Sequence, residues 1–181
     1  MRLSLTTPAA TMAVGAALAR LAAPTDALLL HGTYGAGKTC LARGFVRAYV
    51  NDPLLHVASP SYLIDLTYDD ETGRRQPAAT LHHIDLWRLP EGKVSGLVDL
   101  DNVFSTCVSL IEWPERLLES ELPAARLDVH LSLLNDTSEW AEEQPREVLL
   151  VPQCAEWARR LDEAERSGEL EAAAATSDTL S

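Results

Sequence analysis

Hydrophobic residues along this 181-residue chain fall into short apolar runs, separated in the first half of the chain by segments with helical spacing. Five segments predict strands, because their apolar residues are continuous or alternate with polar ones: residues 28–31, 81–85, 108–112, 126–134 and 146–151. The fourth segment alternates only moderately and is expected at an edge of the sheet. Strands alternate with helices early and cluster late. This order predicts an α/β fold, with a mainly parallel central sheet, antiparallel additions and flanking helices.

Helical spacing predicts a first helix within residues 1–23 that is capped by Thr11, and further helices over 38–49 and 154–166. A short helix is expected within 92–104. Residues 69–79 are polar and contain Gly and Pro, which indicates an inserted loop, and the tail 167–181 has the composition of a disordered segment. A single domain is therefore expected over residues 1–166.

The first 23 residues contain two arginines and no acidic residue, a composition that also occurs in organelle transit peptides. A helix is the favoured interpretation, because the segment leads directly into the first strand without a spacer. A cytoplasmic location is expected, with an organelle as the alternative.

The amino-acid composition argues against several classes of protein. The formal net charge is −12, which argues against a protein that binds nucleic acid through its own basic surface. The three cysteines, Cys40, Cys107 and Cys154, are far apart and odd in number, so neither a disulfide scaffold nor a zinc knuckle is expected. No apolar run is long enough to predict a membrane span.

The sequence GTYGAGKT at residues 32–39 fits the pattern G-x-x-x-x-G-K-[ST] and lies between a predicted strand and a predicted helix. Glycines let the main chain approach phosphate groups and adopt the positive φ angles that such a loop requires. Loop amides and the helix N-terminus then bind the anion. Lys38 is expected to reach the β- and γ-phosphates, and the Thr39 hydroxyl is expected to bind Mg²⁺.

Two predicted strands end in carboxylates, Asp85 and Glu112. The carboxyl ends of parallel strands gather at the edge of the sheet where the phosphate loop lies. Either residue could hold Mg²⁺ or polarise a water molecule, and the sequence does not decide which one is the principal carboxylate. The hydroxyls of Ser59 and Ser61 flank Pro60, and this segment is either a nucleotide-sensing switch or an ordinary Ser-Pro turn.

Together these motifs resemble the TsaE family of P-loop ATPases, which serve threonylcarbamoyladenosine modification of tRNA. The chain carries a threonine in an N-terminal helical segment, then GTYGAGKT, SPSY, HIDLWRL and IEWPE in the family's order, over roughly residues 10–160. The resemblance implies a P-loop NTPase-like sandwich that binds ATP and Mg²⁺. It also implies ATP hydrolysis that resets an assembly with TsaB and TsaD subunits, which modify adenosine-37 of tRNA. Contact with tRNA would occur only through that complex.

The resemblance also assigns roles to residues. Lys38, Asp85 and Glu112 would be catalytic, and Thr39 would join both carboxylates at the metal. The nucleotide would be bound by Thr11, which would lie near the adenine, and by Gly35, Ala36, Gly37, Lys38, Thr39, Cys40, Ser61 and Trp113. The chain departs from the family at Thr33 and Tyr34, where Asp and Leu are usual, so that a large ring is placed at the mouth of the site.

Three other functions stay open. A nucleoside or small-molecule kinase would need an arginine-bearing lid, and the adjacent arginine pairs are 74–75 and 159–160. A GTP switch is disfavoured because the chain has no N-K-x-D segment. A non-catalytic, nucleotide-dependent interaction module is the third. As an ATPase the isolated protein is expected to be weak, with an arginine finger supplied by a partner or by Arg43, Arg88 or Arg116.

Overall fold

The computed structural model describes residues 1–69, 79–134 and 144–177, and these form a mixed sheet covered by helices on both faces. Within the described residues the sheet has seven strands in the order β1-β7-β6-β2-β5-β4-β3. The strands are β1 (Arg2–Leu5), β2 (Ala27–His31), β3 (Asp65–Tyr68), β4 (Leu81–Asp85), β5 (Val108–Glu112), β6 (Arg126–Leu133) and β7 (Arg146–Pro152). The four central strands β6, β2, β5 and β4 are parallel, and β1, β7 and β3 add antiparallel pairs. The predicted α/β fold class is confirmed.

The helices in the described residues are α1 (Pro8–Leu21), α2 (Lys38–Val50), α3 (Leu100–Thr106), α4 (Ala155–Ser167) and α5 (Glu169–Ala174). Strand β2 shows why its sequence is a continuous apolar run. Leu28 and Leu30 join the core on the face covered by α1 and α2, whereas Leu29 joins a second core on the opposite face, next to α3. A parallel strand that is buried on both faces needs apolar residues at successive positions.

None of the helices in the described parts of the chain is long and apolar enough to cross a membrane.

The N-terminal segment is more structured than predicted. Strand β1 precedes the helix and pairs with β7, and α1 begins at Pro8. Its N-cap is Thr7, whose hydroxyl accepts a hydrogen bond from the Ala10 N–H at 3.0 Å. The prediction of Thr11 as the cap was therefore wrong, because Thr11 lies inside the helix.

Two further predictions were wrong. Strand β6 is not at an edge, because β7 pairs with its outer side. The tail is not disordered over residues 169–174, which form α5. There Leu170 is fully buried, and Glu169 forms a 2.8 Å ion pair with Arg20 of α1.

The short helix predicted within 92–104 is α3, displaced to Leu100–Thr106. Of the predicted insertion at 69–79, residues 70–78 lie outside the described residues, as do residues 178–181 of the tail.

Candidate nucleotide site

The loop at residues 32–39 joins β2 to α2, as the motif requires. Gly35 and Gly37 have φ angles of 80° and 104°, in the left-handed region where a side chain would be strained. Gly37 is the N-cap of α2. The first N–H groups of α2 have no partner within the helix, and they lie directly after the loop. They bring the positive end of the helix dipole to the phosphate site.

Lys38 is almost fully buried, with 5% of its surface exposed. Its Nζ donates to the carbonyl oxygens of Gly32 and Thr33 at 2.7 and 2.9 Å and lies 3.6 Å from the centroid of the Trp113 ring. Burial lowers the pKa of Lys38, and the negative charges of Glu112, Glu115 and Asp85 oppose that shift. The ammonium group is thus fixed within the loop by its own main chain and by an aromatic face.

Glu112 connects the loop to the sheet. Its Oε2 accepts a hydrogen bond from the Thr39 hydroxyl at 2.9 Å, and its Oε1 lies 2.9 Å from Nε2 of His83. Both Glu112 and His83 are buried. The phosphate-loop threonine is therefore hydrogen-bonded to the carboxylate that ends β5.

Asp85 lies directly opposite Glu112 in the register of β4 and β5. Its Oδ2 accepts hydrogen bonds from the hydroxyls of Ser61 at 2.7 Å and Ser59 at 3.2 Å. Its Oδ1 accepts one from the Trp87 N–H at 2.9 Å. The Ser-Pro-Ser segment thus contacts the Asp85 carboxylate directly through both serine hydroxyls.

A cavity of about 520 Å³ brings these groups together. It contains all the predicted site residues except Thr11 and Ala36. Its lining consists of Tyr34, Gly35, Gly37, Lys38, Thr39, Cys40, Arg43, Ser59, Ser61, Tyr62, Asp85, Trp87, Arg88, Glu112 and Trp113.

Thr11 and Ala36 are fully buried. The Thr11 hydroxyl donates to the Thr7 carbonyl at 3.2 Å, and its methyl group is 3.7 Å from the point where a side chain at Gly37 would begin. Thr11 therefore packs beneath the loop. A direct contact between its side chain and an adenine ring is not supported by this geometry.

Sequence reasoning missed several residues at the cavity. Trp87 packs against Trp113 with ring centroids 4.2 Å apart, and the guanidinium carbon of Arg88 lies 4.2 Å from the centroid of the Tyr62 ring. Trp87 and Tyr62 stand in the motifs HIDLWRL and SPSY, and their places beside Asp85 and Ser61 were a usable signal. His83, which is buried beside the cavity lining, begins the motif HIDLWRL, but no role was assigned to it.

The arginines separate into two groups. Arg43 and Arg88 line the cavity, and the Arg43 Nε donates to the Val57 carbonyl at 3.0 Å. Arg116 is not among the lining residues.

The pair 159–160 does not form a kinase lid. Arg159 pairs with Glu163 at 2.7 Å, and Arg160 donates to Asp26 at 2.9 Å, and neither arginine lines the cavity. The pair 74–75 lies outside the described residues.

The donor set fits Mg²⁺ when it is held jointly with a nucleotide. No group of three or more His, Cys, Asp or Glu side chains within the described residues could hold a metal ion, so a protein-only cage is not available there. Mg²⁺ instead prefers oxygen ligands, and usually takes one or two carboxylates together with phosphate oxygens and water. Thr39, Asp85 and Glu112 supply such oxygens within the same cavity.

The chain is similar to known proteins over most of its length. The family model described as "Threonylcarbamoyl adenosine biosynthesis protein TsaE" matches residues 5–141. This chain belongs to the TsaE family. The resemblance seen in the motifs is thereby confirmed over most of the sequence.

Curated relatives are named "tRNA threonylcarbamoyladenosine biosynthesis protein TsaE". That of Bacillus subtilis strain 168 is 31% identical over 130 residues, covering 71% of this chain and 75% of the relative. That of Mycobacterium leprae is 33% identical over 128 residues, covering 67% of this chain and 75% of the relative. The crystal structure of Bacillus subtilis YdiB superposes with a TM-score of 0.70 at 24% identity, covering 92% of this TsaE-family chain and 95% of YdiB. That likeness confirms the P-loop-type fold.

Proposed function

We propose that this TsaE-family protein binds ATP with Mg²⁺ in the cavity and hydrolyses it in the service of tRNA threonylcarbamoyladenosine biosynthesis. Membership of the family and the names of its relatives support the pathway. TsaB- and TsaD-type proteins are the proposed partners, tRNA is reached through their complex, and we expect the protein in the cytoplasm. The net charge of −12 supports an indirect contact with tRNA, because direct binding needs a basic surface.

One observation carries the proposal. The Thr39–Glu112 and Ser61–Asp85 hydrogen bonds, at 2.9 and 2.7 Å, lie in the same cavity as the Lys38 ammonium. A bare phosphate loop could serve binding alone. Two carboxylates that are already bonded to the loop threonine and to a possible switch serine provide, in addition, groups that can orient a metal and a water molecule.

The roles follow from these contacts. Lys38 and the N-terminus of α2 would bind the β- and γ-phosphates. Thr39 and Asp85 would present oxygens to Mg²⁺, which would neutralise charge on the phosphates. Glu112 would hold the Thr39 hydroxyl and orient water, and Ser61 would move with the presence or absence of the γ-phosphate.

Weak activity of the isolated protein is part of the proposal. Phosphoryl transfer is accelerated when an arginine stabilises the charge that develops on the phosphate. Among the described residues, the two arginines at the cavity are engaged elsewhere, Arg43 with the Val57 carbonyl and Arg88 with the Tyr62 ring. An arginine from a partner, or release of Arg88 when a partner binds, would complete the site.

Isothermal titration with Mg-ATP and single-turnover hydrolysis test the proposal. The variant is Lys38→Ala. The matched control is Lys93→Ala, which replaces the chain's only other lysine. Loss of the Lys38 ammonium should weaken ATP binding by roughly 10- to 100-fold, the value of a charged hydrogen bond to phosphate. Lys93 is exposed and outside the cavity, so its variant should behave as the unaltered protein.

Hydrolysis should be slow in isolation and faster with the partner subunits present. Absence of any heat with Mg-ATP, or equal binding by the two lysine variants, would refute the nucleotide site. Robust turnover without partners would refute the dependence on them.

A further inference from the structure

His83 occupies an unusual position for a histidine. It lies in the middle of β4 and is fully buried. Its Nε2 is 2.9 Å from Oε1 of Glu112, whereas its Nδ1 is buried without a hydrogen-bond partner in the described part of the chain. An ionised carboxylate can only accept hydrogen bonds, so the neutral ring must carry its proton on Nε2 and leave Nδ1 as a bare acceptor.

Packing alone does not account for this residue. The side chains at 81, 83 and 85 share one face of the strand, and Leu81 and the register partner Leu110 on the same face are core leucines. A buried acceptor without a partner is destabilising, and an apolar side chain at position 83 would avoid it. The bond to Glu112 is what the histidine provides and a leucine would not.

That bond restricts Glu112. With Oε1 held by His83 from the sheet side, Oε2 is directed to Thr39 at the first turn of α2. Without it, the carboxylate could rotate or accept water, since the Thr39 hydroxyl is its one other hydrogen-bond partner among the described residues. A hydrogen-bonded series His83–Glu112–Thr39 thus connects strand β4 to the phosphate loop.

We propose that His83 is a positioning residue that fixes the Glu112 carboxylate for nucleotide-dependent chemistry at the loop. This rests on the proposed function, because Glu112 has no chemistry to perform if no nucleotide is bound. Groups that orient the residues next to a metal commonly affect affinity or rate by about 10- to 100-fold, and His83 is placed to have an effect of that size.

The neighbouring residue offers a matched control. His82 also bonds a carboxylate, with its Nδ1 at 2.8 Å from Asp65, but it points to the opposite face of β4 and does not line the cavity. If the strand needed histidine–carboxylate pairs in general, substitution of either histidine would lower activity. If His83 positions Glu112, only substitution of His83 would lower it.

The test compares His83→Gln with His83→Asn, two amides that differ by one methylene group. The Gln donor reaches about as far from the main chain as the imidazole Nε2, and the Asn donor does not. We expect His83→Asn to lower kcat by roughly 10- to 100-fold and to weaken Mg-ATP binding more than metal-free nucleotide binding. His83→Gln should recover kcat to within about threefold of the unaltered protein, and His82→Asn should stay within about twofold.

Wild-type activity in His83→Asn would overturn the proposal, as would equal losses in His83→Gln and His83→Asn, because the shape of the side chain would then matter and the donor would not. Circular dichroism checks folding. Should His83→Asn not fold, His83→Leu takes its place, since it too lacks the donor, and a kcat within about threefold of wild type would again be contradictory.

A measurement on the unaltered protein completes the design. Nitrogen-15 NMR of the imidazole should show a protonated Nε2 and a bare Nδ1, and the reverse tautomer would overturn the assignment. If the unaltered protein binds Mg-ATP but does not hydrolyse it, the proposed function fails, while the tautomer and the Mg-ATP affinities of the variants still decide the role of His83.

Discussion

The crossing of α1 and α2 gives a sharp prediction, because the two helices meet main chain against main chain. A Cβ atom at Gly44 of α2 would lie 1.9 Å from the carbonyl oxygen of Met12 in α1. The contact is matched at Gly15 of α1, where a Cβ atom would lie 2.1 Å from the Leu41 carbonyl oxygen. Replacement of Gly44 by alanine therefore forces the helices apart.

The magnitude follows from the distances. Real Cβ atoms essentially never come closer than 3.0 Å to another heavy atom. The distance from the new Cβ to the Met12 oxygen must therefore grow from 1.9 Å to 3.0 Å, a local shift of about 1.1 Å. Overpacking of this kind costs about 1–3 kcal/mol, and the obstacle here is main chain that cannot rotate away, which favours the upper end. Alanine regains about 1 kcal/mol of helix propensity. We expect Gly44→Ala to lower the free energy of unfolding by about 2 kcal/mol and the Tm by roughly 4–8 °C.

Urea unfolding followed by circular dichroism, together with calorimetry, measures this change. Gly96→Ala is the control, because its nearest non-neighbouring atom would be 3.7 Å away, and its stability should change by no more than about 0.5 kcal/mol. Equal stability of Gly44→Ala and the unaltered protein would show that the helices do not approach as closely as described, and the reasoning would fail.

Two further predictions concern the tail and the pH dependence. Leu170→Ala should lower the free energy of unfolding by about 2–4 kcal/mol because the side chain is fully buried, whereas Leu97→Ala, at an exposed position, should be nearly neutral; no loss at Leu170 would contradict a packed α5. Burial would raise the pKa of Glu115, but the hydrogen bond from His31, with the charges of His31 and Lys38, lowers it below its ordinary 4.5. The stability that Glu115 contributes is then present above that pH and is lost as the pH falls through the folded-state pKa. The destabilisation caused by His31→Ala, measured by urea unfolding, should therefore shrink as the pH falls through the folded-state pKa of Glu115, and a difference independent of pH would refute this.

The strands that carry the site could be predicted from the sequence to the residue. Both Leu81–Asp85 and Val108–Glu112 are buried over nearly their whole length, and each is a short segment that ends abruptly in a carboxylate. Because parallel strands bring their carboxyl ends to one edge, the proximity of Asp85 and Glu112 to the loop followed as well.

Other elements depend on contacts between distant parts of the chain, which leave no local pattern. Strand β1 has four residues and is defined by pairing with β7 across the sequence. The interior place of β6 depends on which strand covers it. The helix α5 is a short Ala- and Glu-rich segment that is too short to be stable alone. It is stabilised by packing on α1, which its composition does not reveal.

The site residue that was missed illustrates the same limit. Strand alternation places His83, and not His82, on the same face as Asp85, but the local sequence does not reveal that His83 meets Glu112 and His82 meets Asp65. Only the register of three strands makes that distinction.

An ammonium group has three hydrogens to donate, and in Lys38 two of them are given to main-chain oxygens while the charge also faces an indole ring. An incoming phosphate therefore competes with the two main-chain carbonyl oxygens for the hydrogens of Lys38. Part of its binding free energy comes from exchanging one hydrogen-bond partner of the lysine for another. A lone orthophosphate is too short to meet every donor of the loop, whereas a polyphosphate can meet the lysine and the helix tip at once. We accordingly expect the loop to discriminate by the number of phosphate groups, binding monophosphates weakly and di- and triphosphates tightly.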